Sequence, residues 1–372
     1  MADTKVFLSG GRIQGRSDDS VTVLDSIPQT SLKELARTTL SSTSATIDSG
    51  TFTAKDNLMI LYFGVYNSTH VQAQLEVGNG TIDTGDNYAY RHSRNGTSDN
   101  PYTDRPRMFY FASGNAGSDE FGTCSIRNIV NKEKLAVAHG MNTGTDGNGA
   151  DNAPERAESV GKWTGSAVIN RVQVRTANLF GVGSEIVVLG CDDDEADSGT
   201  NFWQELTNTS TIGTPKVTNT TTAFTAKKYL MFTAHTSSIN NSNHGNSYLR
   251  MGSSGTIDTG ASYAWNVQIN GGTNGTGVDY TNGMYCHDYG SSGGGDHGGL
   301  VYTGYIVNVA GKEKMVIMDA VEGNNGASNA PRRQETCGKW ANTSAQANIL
   351  QINTSGSSDA ILAASFRVWG SD

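Results

Sequence analysis

The stretch Asn148-Gly-Ala-Asp-Asn-Ala-Pro154-Glu-Arg-Ala-Glu-Ser-Val-Gly-Lys-Trp163 returns further along the chain as Asn325-Gly-Ala-Ser-Asn-Ala-Pro331-Arg-Arg-Gln-Glu-Thr-Cys-Gly-Lys-Trp340, with eleven of sixteen positions identical. A self-match of this length sets the organisation before any element is assigned, because a repeated sequence unit is a repeated structural unit. Working outward, the other anchors keep their order. Phe52-Thr-Ala-Lys55 pairs with Phe224-Thr-Ala-Lys227, Gly80-Thr-Ile-Asp-Thr-Gly85 with Gly255-Thr-Ile-Asp-Thr-Gly260, and Lys132-Glu-Lys134 with Lys312-Glu-Lys314. Leu189-Gly190-Cys191-Asp192 aligns with Trp369-Gly370-Ser371-Asp372, and Glu34-Leu35 with Glu205-Leu206. Four segments follow: an N-terminal arm over 1–31 with no second version, a first repeat over 32–191, an acidic linker over 192–201, and a second repeat over 202–372. The linker opens Asp192-Asp-Asp-Glu195 and reads as a solvated, self-repelling spacer.

Within each repeat the signals are those of strands. The chain of 372 residues holds 45 glycines, six prolines and only 17% charged residues, a composition poor in long helices. Val71, Ala73, Leu75 and Val77 alternate with Gln72, Gln74 and Glu76, the period of a half-buried strand. Ile126-Arg-Asn-Ile-Val and Tyr305-Ile-Val-Asn-Val are followed by Lys134-Leu-Ala-Val-Ala and Lys314-Met-Val-Ile-Met, which predicts a hairpin through each Lys-Glu-Lys turn. Arg156-x-Glu158-x-Val160 and Arg333-x-Glu335-x-Cys337 suit a strand with one polar face, with a short helix opened by Pro154 as the alternative. A short helix is expected over Ser31 to Thr39. The fold class is all-β: two homologous antiparallel β-sandwich domains of jelly-roll type in tandem, preceded by an extended N-terminal arm.

Charge and hydropathy narrow the partners. With 27 basic residues against 36 acidic ones the net charge is −9, which disfavours nucleic-acid phosphates. The longest apolar stretch, Leu58 to Tyr66, is about half a bilayer-spanning helix, so no membrane insertion is expected. The N-terminus turns polar at Ser9 before a signal-peptide core forms, so the expected product is made in the cytoplasm without a signal peptide.

The two copies serve as controls for one another when chemistry is sought. In Cys286-His287-Asp288 through Asp296-His297, the residues His287, Asp288, Asp296 and His297 are of metal-ligating type. The matching stretch of the first repeat, Tyr110 to Asp119, has neither His nor Cys, and a polar loop is the favoured reading. Asp146-Gly-Asn148-Gly-Ala-Asp151 resembles the start of a calcium loop but lacks the later acidic ligand, which favours a turn. Asp83 and Asp258 sit in the shared turn and read as bonded to local backbone amides. Glu158 and Glu335 each stand beside a shared arginine, which points to ion pairs rather than glycosidase acids. No nucleophile elbow, phosphate loop or His-Glu-x-x-His motif occurs, so no catalytic residue, no cofactor and no enzymatic activity is expected. No cysteine of one copy is matched by a cysteine of the other, which favours free thiols. Tyr88-Ala-Tyr90 and Tyr263-Ala-Trp265 put two aromatics on one strand face. Core packing is the favoured reading; stacking on sugar rings, and so on host surface glycans, is the alternative.

The Asn-x-Ala-Pro-x-Arg-x-Glu-x-x-Gly-Lys-Trp block, the Phe-Thr-Ala-Lys motif and the closing Ser184-Glu-Ile-Val-Val-Leu-Gly190 together resemble a family of tandem-repeat virion structural proteins of tailed phages of marine bacteria. The resemblance spans about residues 32 to 372. It implies a β-sandwich on the outside of a virus particle, as capsid decoration or as a tail or fibre component, and it brings no catalytic residues. The expected location is therefore the virion and the expected partners are other virion proteins, with a homo-oligomer as a further candidate. The arm would be the docking segment, with Val21, Val23 and Leu24 of Val21-Thr-Val-Leu24 offering a strand to a partner sheet.

Overall fold

The computed structural model describes residues 5–8, 11–15, 21–23, 32–66, 71–97, 99–114, 118–144, 148–193, 201–239, 246–272, 274–287, 299–322, 330–354 and 361–372. Among them every regular element is a strand. The first sandwich has an eight-stranded sheet in the spatial order Asn100–Arg105, Tyr88–Arg94, Glu155–Trp163, Lys134–Asn142, Glu120–Arg127, Asn57–Gly64, Glu185–Cys191 and Lys33–Thr39. Against it lies a smaller sheet in the order Phe109–Gly114, Val71–Asn79, Arg171–Phe180 and Ser44–Thr51, with Thr81–Ile82 added to Val71–Asn79. Successive strands cross repeatedly from one sheet to the other, the winding of a jelly roll. The second pair of sheets repeats that order. Its large sheet runs Gln204–Lys216, Ile361–Ser371, Tyr229–Ile239, Leu300–Val307, Lys314–Glu322, Arg332–Trp340, Tyr263–Ile269 and Asn274–Tyr280. Its small sheet holds Thr218–Thr220, Ile349–Thr354 and Ser247–Ser253, with Thr256–Ile257 and Met284–His287 both paired to Ser247–Ser253.

The expected hairpins form: Arg127 faces Leu135 and Val307 faces Met315, with Asn131 and Gly311 supplying the positive φ of each turn. The Arg-x-Glu segments are strands, Glu155–Trp163 and Arg332–Trp340. The helix expected over Ser31 to Thr39 is instead the strand Lys33–Thr39, paired with Glu185–Cys191. Ladder bonds to a neighbour outweigh a weak local preference, and Thr38 and Thr39 suit a strand better than a helix. The arm departs from an extended segment as well. Lys5–Leu8, Gly11–Gly15 and Val21–Val23 make a three-stranded antiparallel meander, and Leu24 lies outside the described residues.

Three clusters of buried side chains hold the molecule. One fills the first sandwich around Ile60, Tyr62, Leu75, Phe109 and Val188, and a second fills the other around Phe232, Leu249, Trp340 and Phe366. The third lies between the sandwiches. Met59, Leu61, Phe63, Phe121, Met141, Val187 and Leu189 meet Tyr229, Met231, Val307, Met315, Ile317, Cys337 and Trp369 there. This explains the uninterrupted apolar run Leu58-Met-Ile-Leu-Tyr-Phe63. Leu58, Ile60 and Tyr62 point into the first sandwich while Met59, Leu61 and Phe63 point out of it into the third cluster. A strand buried on both faces has no polar alternation to show.

The motifs shared by the copies turn out to be matched fastenings. Trp163 and Trp340 donate their indole N–H to Asp83 (2.8 Å) and Asp258 (2.7 Å), whose other oxygens accept from the amides of Gly85 and Gly260. Gly161 and Gly338 let the small sheet approach: a Cβ on either would sit 2.7 Å from a Met108 or Met284 side-chain carbon. Lys55 and Lys227 pair with Asp192 (2.8 Å) and Asp372 (2.6 Å), and Asp193 pairs with Arg127. The start of the acidic linker is thus pinned to the first sandwich rather than free as a spacer. Asn128 and Asn308, fully buried, each bridge two backbone carbonyls and one amide: Lys55, Ile169 and Ile169 for the first, Lys227, Ala347 and Ala347 for the second. An Asn308→Ala change strands all three buried groups. It is expected to lower stability by about 2–3 kcal/mol, read as a lower urea midpoint at unchanged slope, with Asn128→Ala giving a similar loss.

Candidate functional site

Strands Lys134–Asn142 and Glu155–Trp163 set His139 opposite Glu158 and Met141 opposite Arg156. Their counterparts set Asp319 opposite Glu335 and Val321 opposite Arg333. Strand alternation puts all eight on the outer faces of the large sheets, which meet across the third cluster. Arg156 is the hub. Its guanidinium bonds Glu158 on its own strand, reaches Glu335 of the second sandwich at 3.0 Å and donates to Gln268 at 2.9 Å. Around it, Asn266 donates to Asn95 and to the carbonyl of Pro154, both at 3.0 Å. Lys339 donates to the carbonyl of Thr143 and pairs with Glu313 (3.3 Å), which in turn accepts from the amide of Gly149. Lys312 pairs with Asp119 at 3.1 Å.

At the other side of the contact Glu185, fully buried, accepts from Arg37, Thr39, Tyr229 and Lys228. Burial works to raise its pKa, but the bonds from Thr39 and Lys228 and the charges of Lys228 and Arg37 outweigh it and hold the carboxyl below its ordinary value. Asp319 goes the other way. Burial raises its pKa, Glu335 adds to the rise, and His139, Arg156 and Arg333 oppose it without cancelling it.

Where the sheets part, a cleft of about 670 Å³ opens, walled by Val137, Val160 and Arg333 with His139, Glu158 and Glu335 on its floor. A smaller recess of about 130 Å³ joins Val137 and His139 to Thr303, Tyr305 and Asp319. Chemically the cleft offers apolar β faces beside an arginine–carboxylate bridge. It suits contact with another surface better than turnover. Near it, His92 Nδ1 lies 2.9 Å from Ser159 Oγ, but that hydroxyl donates its proton to the carbonyl of Tyr110, so the pair is not arranged as nucleophile and base.

The residues singled out for sugar stacking lie elsewhere. Tyr88, Tyr90, Tyr263 and Trp265 are buried in the sandwich cores. The Tyr88 and Tyr263 hydroxyls donate to the carbonyls of Val77 and Met251, Tyr90 stacks on Tyr102 at 4.6 Å, and Trp265 stacks on Tyr285 at 4.9 Å. Stacking on a sugar needs an accessible ring face, which these do not present. Of the four metal-ligand candidates, His287 is buried on Met284–His287, 3.7 Å from Glu322, whereas Asp288, Asp296 and His297 lie outside the described residues. Among the described residues no group of three or more His, Cys, Asp or Glu is placed to hold a metal. In the calcium-like stretch Asp146 lies outside the described residues, and Asn148 accepts from Thr143 within its turn. Cys124, Cys286 and Cys337 are buried free thiols, the last pushed up to about 12 by burial. The sequence showed Arg156, Glu158 and Glu335 as shared ion-pair residues. It did not show that the bridge crosses between copies, nor the parts of His139, Asp319, Gln268 and Glu185.

No family model and no curated protein matches the chain. Among solved structures, the "TodX monoaromatic hydrocarbon channel deltaS2 mutant" is 9% identical over 83% of this chain and 92% of that one, with a TM-score of 0.09, a likeness that carries no argument.

Removing Arg156 leaves two carboxylates facing each other between the sandwiches. Arg156→Ala is expected to cost about 3–5 kcal/mol and to split a single urea transition into two, followed by fluorescence and circular dichroism together. Opposite pH signatures are expected from the two buried acids. The raised pKa of Asp319 means its ionised form weakens the fold at neutral pH, so Asp319→Asn raises the urea midpoint at pH 7, and the gain shrinks as pH falls toward 3.8. The lowered pKa of Glu185 means its charge stabilises, so Glu185→Gln lowers the midpoint at pH 7, and the deficit fades only as pH drops below 4.5.

Proposed function

We propose that this chain is a non-enzymatic structural protein exposed on the surface of a tailed-phage virion, as capsid decoration or as a tail or fibre component. The observation that carries the reading is the third core. Two jelly-roll-type sandwiches are joined by a packed apolar interface ringed by ion pairs, so the chain presents one stiff, two-lobed β surface. A protein whose work is to hold and display a surface needs that stiffness; a pair of domains closing on a substrate would need the interface to yield. The resemblance of the shared Pro–Arg–Glu–Gly–Lys–Trp block to tandem-repeat virion proteins supplies the particle. Capsid decoration is the preferred site, since no fibrous or coiled-coil pattern runs through the sequence.

The arm supplies the attachment. Val21–Val23 is an edge strand, paired on one side with Gly11–Gly15, and strand addition to a shell or tail protein would use its other side. Antibodies to the second repeat are expected to label purified particles in electron micrographs, over the heads for a decoration protein. Particles made with a chain lacking residues 1–31 are expected to carry no label while the shortened protein remains soluble and folded. Absence of label from every intact particle would overturn the reading.

A further inference from the structure

The outer faces of the two large sheets are used unequally. Lys134 and Lys314, each opposite the tryptophan of the shared block, fix the correspondence. Leu135, Val137 and Val160 match Met315, Ile317 and Cys337, while Phe121 and Met141 match Val301 and Val321. At one end of this face the first repeat buries Phe121 and Met141 in the third core, whereas Val301 and Val321 stay in solvent, the latter 46% exposed. At the other end the second repeat buries Met315, Ile317 and Cys337, whereas Leu135, Val137 and Val160 stay in solvent, Leu135 at 61%. The contact is therefore heterologous: one end of the face docks on the opposite end of its counterpart, and each repeat keeps the end that the other has spent. Charge follows the same rule. Arg156 holds its own-strand Glu158 and also reaches Glu335; Arg333, its counterpart, is exposed, and among the described residues its one ion pair is with its own-strand Glu335.

We propose that a second copy of this chain covers these faces. The Val301 and Val321 end of one copy's second repeat docks on the Leu135, Val137 and Val160 end of another copy's first repeat. The occupant is set by the interface already present, since within the chain each unspent end has a counterpart covered by a homologous surface of the kind now left over. A heterologous contact repeated between copies closes into a ring or runs on as a filament, according to its angle. The association goes beyond the role on a particle and stands or falls separately from it.

Sedimentation of the full chain over about 1–100 µM, a range that covers ordinary self-association, is expected to show a mass that is a multiple of 39.4 kDa. A monomer throughout that range overturns the proposal. Leu135→Asp and Val321→Asp change exposed side chains and should leave circular dichroism and the urea midpoint as they were. Each is expected to weaken self-association by at least about tenfold, through a charge that cannot be paired in a closed apolar contact. Mixed in equal amounts, the two variants should form a one-to-one complex, because each carries intact the end that the other has lost. A mixture that stays monomeric, or either variant still assembling alone, overturns the head-to-tail contact.

Discussion

The packing of one large sheet's outer face on another is the contact on which the rest of this structure depends. A β-sandwich with a polar exterior would need nothing beyond its own core. Here the central strands Asn57–Gly64 and Tyr229–Ile239 are apolar toward both sides at the contact, and Met59, Leu61, Met231 and Trp369 would sit in water without a neighbouring repeat. Burying such a patch is worth about 25 cal/mol for each Å² removed from water. The polar rim works in the same direction where its charges are answered, Arg156 by two glutamates and Gln268 and Glu185 by four donors, while the buried carboxyl of Asp319 works against it. Left half-answered, the same groups would weaken the contact.

The internal comparison also shows which shared residues belong to the fold and which belong to the contact. The Asp–Trp, Lys–Asp and Asn fastenings occur twice with nearly the same distances, and one of them also reaches the other sandwich, where the carbonyl of Asp372 accepts from Arg37. The outer-face positions have diverged. Leu61 and Phe63 correspond to Thr233 and His235, and Val160 corresponds to Cys337. The cores have diverged as well, with Ile60 and Tyr62 corresponding to Phe232 and Ala234, so what the copies share is the frame and its fastenings rather than either face.

Much of the fold could be read from the sequence. Alternation at Val71 to Val77, the Lys-Glu-Lys turns and the repeated block led to the right class, the hairpins and the amide bonds of Asp83 and Asp258, but not to the tryptophan, lysine and asparagine fastenings. The segment Lys33–Thr39 misled because its Lys-Glu-Leu-Ala-Arg pattern fits either period until a partner strand is known. The candidate site was less legible. Its arginines and glutamates stood out because both copies carry them, but a cross-repeat bridge depends on how two faces meet, which no local pattern encodes. The one signal available was Leu58 to Phe63, where a strand in a sheet with one wet face should have alternated and did not. At the aromatics 88, 90, 263 and 265 core packing is the reading the sequence favours over a sugar platform, and their burial agrees with it.

The position of the last strand in each sandwich has a consequence for synthesis. Glu185–Cys191 lies between Asn57–Gly64 and Lys33–Thr39, and Ile361–Ser371 lies between Tyr229–Ile239 and Gln204–Lys216. The last-made strand of each sandwich therefore fills the gap beside the outermost strand of a sheet begun more than a hundred residues earlier. Until it arrives, the earliest strand has no neighbour to join and a central strand keeps one bare, strongly apolar edge. Such a topology folds slowly and passes through a stage at which nascent chains can pair with each other instead of with themselves. Yield in a cell would then be governed by translation pace and chaperone supply more than by the stability of the finished molecule.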